Sequence, residues 1–374
     1  MLLDNIFPHK VCINLDRRAD RWQRMQAEFA RHGIAAVRRF SACDGNALVL
    51  PPHWKHTAGA FGCLRSHVEV VQEARELGHE SVLIFEDDAV LDAEFTAKFA
   101  SFVREVPADW DMLYFGALHK DEPVRVSDHV YRITKGNSTY AYALKRTVFD
   151  AFVELNTRAE HVLDVNAYEL QQRFNCYCFM PNLAWVQPEY SDVQNRLERH
   201  WYLEKSLVLF GARVDRLLSQ TAIVIAHGSA CDENTRFLER YYREYFSPLA
   251  QIVVCDDFVT GISNSELKTG FFLLTDDDLY LETLDVRANL LMCEEYDGAT
   301  GFSDVIDLTS EQARLLRQTG ITRGIDVSKS TPAQDVKSQC RFIKREALKT
   351  QGRRSAEHSL RLFQSPNHAL RLPR

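Results

Sequence analysis

The chain has 374 residues, 45% hydrophobic and 26% charged, which is ordinary globular composition and enough length for two domains with separate cores. Its formal net charge of −7 gives no basis for a general nucleic-acid role, and no run approaches the ~20 apolar residues of a membrane-spanning helix. The nine cysteines are odd in number, scattered and without zinc-ligand spacing, so reduced thiols are expected. The first ten residues lack the apolar core of a signal peptide, and the expected setting is the cytoplasm.

Val11–Leu15 reads as a short buried strand. A helix follows, starting near Asp20, carrying Trp22, Met25 and Phe29 on one face and stopped by Gly33. Val37–Phe40 is a second strand, and Ser41–Gly45 a turn. A loop runs from Pro51 to Gly62. Apolar residues at Leu64, Val68, Val71 and Leu77, with Gly78 behind them, then predict a helix. Ser81–Phe85 is a strand that runs straight into Glu86, Asp87 and Asp88. Further strands are expected at Met112–Gly116, Thr139–Leu144 and near Leu183–Gln187, with a helix near Thr147–Leu155. Strands alternating with helices predict an α/β fold with a mostly parallel sheet.

Residues 201–220 read as a helical connector with Trp201, Leu203, Leu207 and Leu209 mixed in. At Thr221 the pattern restarts. Thr221–Ala226 is a strand and Glu233–Phe246 an aromatic-rich helix. Gln251–Cys255 is a strand ending in Asp256-Asp257, and Phe271–Thr275 a strand ending in Asp276-Asp277-Asp278. The expected organisation is a first domain over 1–200, a second and smaller one over 221–334, and a basic tail over 335–374. That tail carries ten Lys/Arg against three acids. It suits peripheral contact with an anionic membrane surface, or a solvated terminus.

The acids behind Ser81–Phe85 are the most informative feature. A buried strand ending in carboxylates puts hard oxygen ligands at the carboxyl edge of a sheet, where open α/β sheets bind their ligands. Mg²⁺ or Mn²⁺ can be held there, and a diphosphate through the metal; a solvated acidic turn is the plainer alternative. Asn14-Leu-Asp16-Arg17-Arg18-Ala-Asp20-Arg21 sits at the first strand-to-helix turn, where arginines can neutralise a diphosphate or simply pair with Asp16 and Asp20. Gly59-Ala-Phe-Gly62-Cys63-Leu-Arg-Ser66-His67 opens a helix. Its glycines permit close approach of a ligand, and Ser66 or His67 can reach sugar or phosphate, although a lone His is more often bonded to a neighbouring carboxylate. Asp164, at a polar helix start, and Asp192, in a polar loop, are each a general base or an ordinary capping or turn residue.

In series, these segments resemble glycosyltransferase family 25. The matching stretches are Ile13–Trp22, Phe40–Gly45, Gly59–His67, Ile84–Asp88, Asp109–Gly116, Thr139–Tyr142, Asp164 and Gln187–Val193, over roughly residues 10–195. The resemblance implies a GT-A (Rossmann-like) fold, a UDP-hexose donor, inversion at the anomeric carbon and a saccharide or glycolipid acceptor. It implies Mn²⁺ or Mg²⁺ on Glu86 and Asp88. Donor contacts would come from Asn14, Asp16, Arg17, Arg21, Asp44, Gly62, Ser66, His67 and Asp87. Asp164 is the first candidate for the base that deprotonates the acceptor, and Asp192 the second. Galactose is the expected sugar and a surface saccharide the expected product, made at the inner face of the cytoplasmic membrane. The second half is similar to a shortened GT-A domain of the family 2 kind, since only 18 residues separate Asp257 from Asp276. A scaffolding role is expected for it.

Overall fold

The computed structural model describes residues 2–137, 139–186, 190–193, 196–197, 212–227, 233–258, 261, 270–276, 279–281, 283–293, 298–300, 304–307, 310, 313–314, 316, 340–344, 362–364 and 368–371. Gln187, the connector residues Trp201, Leu203, Leu207 and Leu209, the acids Asp277 and Asp278, and most of the basic segment 335–374 lie outside the described residues. The chain divides into two compact units, the first within Met1–Leu207 and the second within Val208–Gly320 and Val327–Arg374.

The first unit opens with α1 (Leu2–Ile6), β1 (Lys10–Asn14), α2 (Ala19–Arg31), β2 (Val37–Ser41), α3 (Ala58–Glu76) and β3 (Ser81–Glu86). β4 (Ala89–Leu91), α4 (Phe95–Phe102) and β5 (Met112–Tyr114) follow. The chain then makes short strands β6 (Leu118–His119), β7 (Val124–Arg125), β8 (Val130–Arg132) and β9 (Gly136–Asn137). β10 (Ala141–Lys145), α5 (Arg146–Thr157), α6 (Leu163–Arg173), β11 (Cys176–Phe179), β12 (Ala184–Val186), β13 (Tyr190–Ser191) and β14 (Arg196–Leu197) complete it.

Eight of these strands form one sheet in the order β2-β1-β3-β10-β5-β11-β8-β7. β2, β1 and β3 run parallel, whereas β10 is antiparallel to both β3 and β5. The sheet is therefore mixed rather than mostly parallel. The strand sequences do not reveal this, because β3 and β10 are buried on both faces and read as continuous apolar runs in either direction. β12 leaves the main sheet and pairs with β4 instead.

Side chains of successive residues point to opposite faces. Val82 and Ile84 join Val68, Val71 and Phe149 of α3 and α5 in one core. Leu83 and Phe85 join Met25, Phe29, Phe95 and Phe99 of α2 and α4 in the other. The chain thus leaves β1 through α2 over one face to reach β2, and returns through α3 over the opposite face to reach β3. A crevice is obligatory where the connections diverge, outside the carboxyl ends of β1 and β3.

The second unit repeats this arrangement. β15 (Thr221–Ala226) lies between β16 (Gln251–Cys255) and β17 (Phe271–Asp276), all parallel. β18 (Leu279–Tyr280), β19 (Gly298–Thr300), β20 (Asp304–Asp307), β21 (Cys340–Lys344), β22 (Leu362–Gln364) and β23 (His368–Arg371) follow. β21 adds antiparallel to β17, and β23 lies between β18 and β20, so the stretch read as a basic tail contributes three strands to this unit's sheets. No helix among the described residues is long and apolar enough to cross a membrane. Cys12, Cys43, Cys63, Cys176, Cys178, Cys255 and Cys293 are free thiols.

Candidate active site

The crevice outside β1 and β3 is a cleft walled by the segments after β1, β2 and β3, by α3 and by the turn at Ser191–Val193. Its floor is set by three buried polar residues. Asn14 ends β1, and its side-chain amide donates to Arg18 O at 2.9 Å and to Asp87 Oδ2 at 2.6 Å, while its Oδ1 accepts from Arg39 Nε at 2.8 Å. Arg21, in the first turn of α2, is only 4% exposed. It donates to Asp87 Oδ1 at 2.9 Å and to Tyr190 O at 2.8 Å, and lies 3.5 Å from Asp88 Oδ2. Burial pushes the Asp87 carboxyl above the usual carboxylate range, with Arg21 and Asn14 pulling the other way. The middle acid of the triplet is therefore a tie between β1, α2 and β3. Its neighbours Glu86 and Asp88 line the same cleft.

Glu86 Oε1 accepts from Thr139 Oγ1 at 2.5 Å and faces His67 Nε2 at 3.3 Å. His67 is fully buried on α3, with Nδ1 2.9 Å from the Tyr142 hydroxyl. Ser66 has both roles of its hydroxyl occupied, donating to Gly62 O at 2.7 Å and accepting from Cys43 N at 2.9 Å. It pins the turn after β2 to α3.

The helix containing these residues starts at Ala58, six residues before Leu64. Thr57 caps it, accepting from Ala60 N at 3.0 Å. Gly59 and Gly62 are thus helical, and what approaches them is the chain itself. A Cβ on Gly62 would fall 2.6 Å from Gly45 N and closer still to Cys43 O. A Cβ on Gly59 would meet Asp192 O and lie 3.1 Å from Val193 Cα. The expectation that Gly62 admits a ligand is corrected: that space belongs to the Cys43–Gly45 turn.

Asp192 is clasped by Arg17 Nη2 at 3.1 Å and Arg18 Nη1 at 2.7 Å, and Arg17 also pairs with Asp44. Thr57 Oγ1 donates to Val193 O at 2.6 Å, and Arg21 holds Tyr190 O, so the 190–193 turn is fastened at three points. Arg17, Arg21, Asp44, Ser66, His67, Glu86, Asp87, Asp88 and Asp192 all line the cleft. Asn14 supports it from behind. Asp16 does not line it; its largely exposed carboxylate accepts from Ser41 Oγ at 2.8 Å and Arg39 Nη2 at 2.7 Å, and these bonds hold it below the usual range. Asp164 is buried in the first turn of α6 and is not among the cleft-lining residues.

Five carboxylates (Asp44, Glu86, Asp87, Asp88 and Asp192) line the cleft against two guanidinium groups, Arg17 and Arg21. This excess of negative charge at a parallel strand edge, with oxygen donors on Glu86 and Asp88, suits a hard divalent cation. The roles of Thr57 and Thr139 escaped the sequence reading, since each acts on a residue far away in the chain.

Residues 7–137 match the family model described as glycosyltransferase family 25 (LPS biosynthesis protein). Procollagen galactosyltransferase 1 of Danio rerio is 27% identical over 156 residues, 36% of this chain and 26% of its own. The human inactive glycosyltransferase 25 family member 3 is 29% identical over 163 residues, 37% of this chain and 27% of its own. The chain thus spans about a quarter of the length of these curated relatives. A solved glycosyltransferase involved in glycosylation of the PBCV-1 major capsid aligns over 46% of this chain and 92% of its own, at 10% identity and a TM-score of 0.28. The family 25 match covers β1 through β9 and so contains the segments after β1, β2 and β3 that build the cleft.

Proposed function

We propose that the first unit is an inverting, metal-dependent hexosyltransferase that moves a sugar, galactose from UDP-galactose, onto a saccharide or glycolipid acceptor of a surface glycan such as lipopolysaccharide. The observation that supports this reading most is the convergence of Glu86, Asp88, Arg17 and Arg21 on one cleft at the carboxyl ends of β1 and β3. The galactosyltransferase among the relatives supports the choice of sugar.

In this reading Glu86 and Asp88 hold Mn²⁺ or Mg²⁺, which supplies charge neutralisation for the leaving diphosphate. Arg17 and Arg18 act as anion receptors. In the structure they hold Asp192, and an incoming diphosphate competes for the same guanidinium groups. Once displaced, the Asp192 carboxylate is available to take the acceptor hydroxyl's proton. Asp192 thereby replaces Asp164 as the preferred base. Action at the inner face of the cytoplasmic membrane, with basic residues of 335–374 toward anionic lipid, belongs to the same proposal.

A screen of common nucleotide sugars on the intact chain, with Mn²⁺ and a panel of saccharide acceptors and read by UDP, GDP or CMP release, tests it. Acceptor-dependent UDP release from UDP-galactose is expected; release from no donor contradicts it. The inactive human relative favours one alternative, a donor-binding scaffold without turnover. That reading predicts UDP binding with no release from any donor.

A further inference from the structure

Cys63 and His67 stand four residues apart on α3, so their side chains share one face of the helix. Glu86, at the end of β3, meets them from the sheet. A ligand atom of each, the Cys63 thiol, a His67 ring nitrogen and a Glu86 carboxylate oxygen, lies within 4.8 Å of the others. Cys63, His67 and Glu86 all line the cleft. A three-ligand zinc site has one sulfur at about 2.3 Å and nitrogen and oxygen at about 2.0–2.2 Å from the ion, which sets the ligand atoms roughly 3.3–3.7 Å apart. The His67 Nε2–Glu86 Oε1 edge is already 3.3 Å.

A second observation comes from His67 itself. The ring is 0% exposed, and its Nε2 makes no hydrogen bond although it faces Glu86. Nδ1 lies 2.9 Å from the Tyr142 hydroxyl. If Nδ1 carries the proton and donates to that oxygen, the Nε2 lone pair points toward the carboxylate, an arrangement that a cation between them resolves. Metal-ligating histidines are oriented in this way by a partner on the other ring nitrogen. Thr139 Oγ1 holds Glu86 Oε1 at 2.5 Å and does the same for the carboxylate.

We propose that Cys63, His67 and Glu86 form a binding site for a thiophilic divalent cation of the Zn²⁺ class, with its remaining coordination position open to the cleft. This site differs in chemistry from a hard, all-oxygen Mn²⁺ or Mg²⁺ site, which has no use for a thiol. It shares Glu86 with the proposed donor site, so a thiophilic ion and an oxygen-liganded one compete for that carboxylate. The binding itself is independent of any sugar-transfer activity.

The test uses the intact chain and Co²⁺ as a spectroscopic probe. The expected result is a cobalt–thiolate charge-transfer band with tetrahedral d–d intensity, abolished by equimolar Zn²⁺ and absent in Cys63→Ser. Tyr142→Phe should keep the band while weakening Co²⁺ binding about tenfold, the usual effect of losing a residue that orients a ligand. A wild-type measurement stands beside the variants: Zn²⁺ should slow iodoacetamide alkylation of Cys63, read by peptide mass spectrometry, and leave Cys43 unaffected. A missing thiolate band, a band that survives Cys63→Ser, or unchanged alkylation of Cys63 overturns the proposal.

Discussion

Replacing Arg21 by Met tests the tie at the base of the cleft while keeping a long side chain on α2. The wild-type guanidinium meets the buried Asp87 carboxylate at 2.9 Å and Tyr190 O at 2.8 Å. Removing one partner of a buried ion pair costs about 3–5 kcal/mol, because the remaining charge stays desolvated. Asn14 still donates to Asp87 Oδ2, which places the expected loss near the lower figure, about 3 kcal/mol at pH 7.5. Protonation limits it. Burial already raises the Asp87 pKa, and losing Arg21 raises it further. A carboxyl with a raised folded-state pKa opposes folding once ionised, so the deficit grows as pH rises. It shrinks as pH falls below the variant's Asp87 pKa toward the wild-type one, by up to about 1.4 kcal/mol per pH unit. Trp22, Trp54, Trp110 and Trp185 are described residues of the first unit and residues 208–374 contain no tryptophan, so tryptophan fluorescence in urea reports on this unit in the intact chain. Adding Asp87→Asn to Arg21→Met should recover about 2 kcal/mol relative to additivity. A deficit that does not change between pH 7.5 and pH 5, or strict additivity of the two substitutions, refutes the buried tie.

Gly62→Ala should lower the same urea-derived stability by about 2 kcal/mol, because the new Cβ meets backbone atoms of the Cys43–Gly45 turn that cannot rotate away; a neutral result would mean that α3 does not press on that turn. Burial holds His119 down to about 3, and burial with His79 and Arg38 nearby holds His9 down to about 4. Both sit below the unfolded value of about 6.5. Their contribution to stability is full above that value and is lost progressively as pH falls from about 6.5 to 4 for His9 and to 3 for His119, so the fluorescence-detected melting midpoint should fall over that window, less so in His9→Gln. Asp88→Asn should cut sugar transfer by about 10²-fold or more with the fold retained, whereas Asp164→Asn, which is not among the cleft-lining residues, should leave transfer near wild type. Strong loss in Asp164→Asn with intact fluorescence would return the base to that residue.

The parts of the site legible in the sequence were those whose chemistry travels with local position. Glu86, Asp87 and Asp88 follow an apolar run, and a strand ending in acids states both its own burial and the placement of the acids. Arg17 and Arg21 follow β1 for the same reason. The division of labour within the triplet was not legible, since it depends on Asn14 and Arg21 reaching Asp87 across 73 and 66 residues of chain. Gly59 and Gly62 were recognised as points of close approach, but whether ligand or backbone approaches is a tertiary fact. The reversal of β10 was likewise hidden, because a strand covered on both faces carries no directional mark. The α4 helix and β11 were missed: Phe95–Phe102 is short and aromatic, and Cys176–Phe179 spans four residues.

Calorimetric titration of UDP into the intact chain, with and without Mn²⁺, tests the account most directly. Saturable binding that needs Mn²⁺, and that Asp88→Asn removes while tryptophan fluorescence stays native, is predicted. No UDP binding in the presence of Mn²⁺, or binding unchanged by Asp88→Asn, would contradict it.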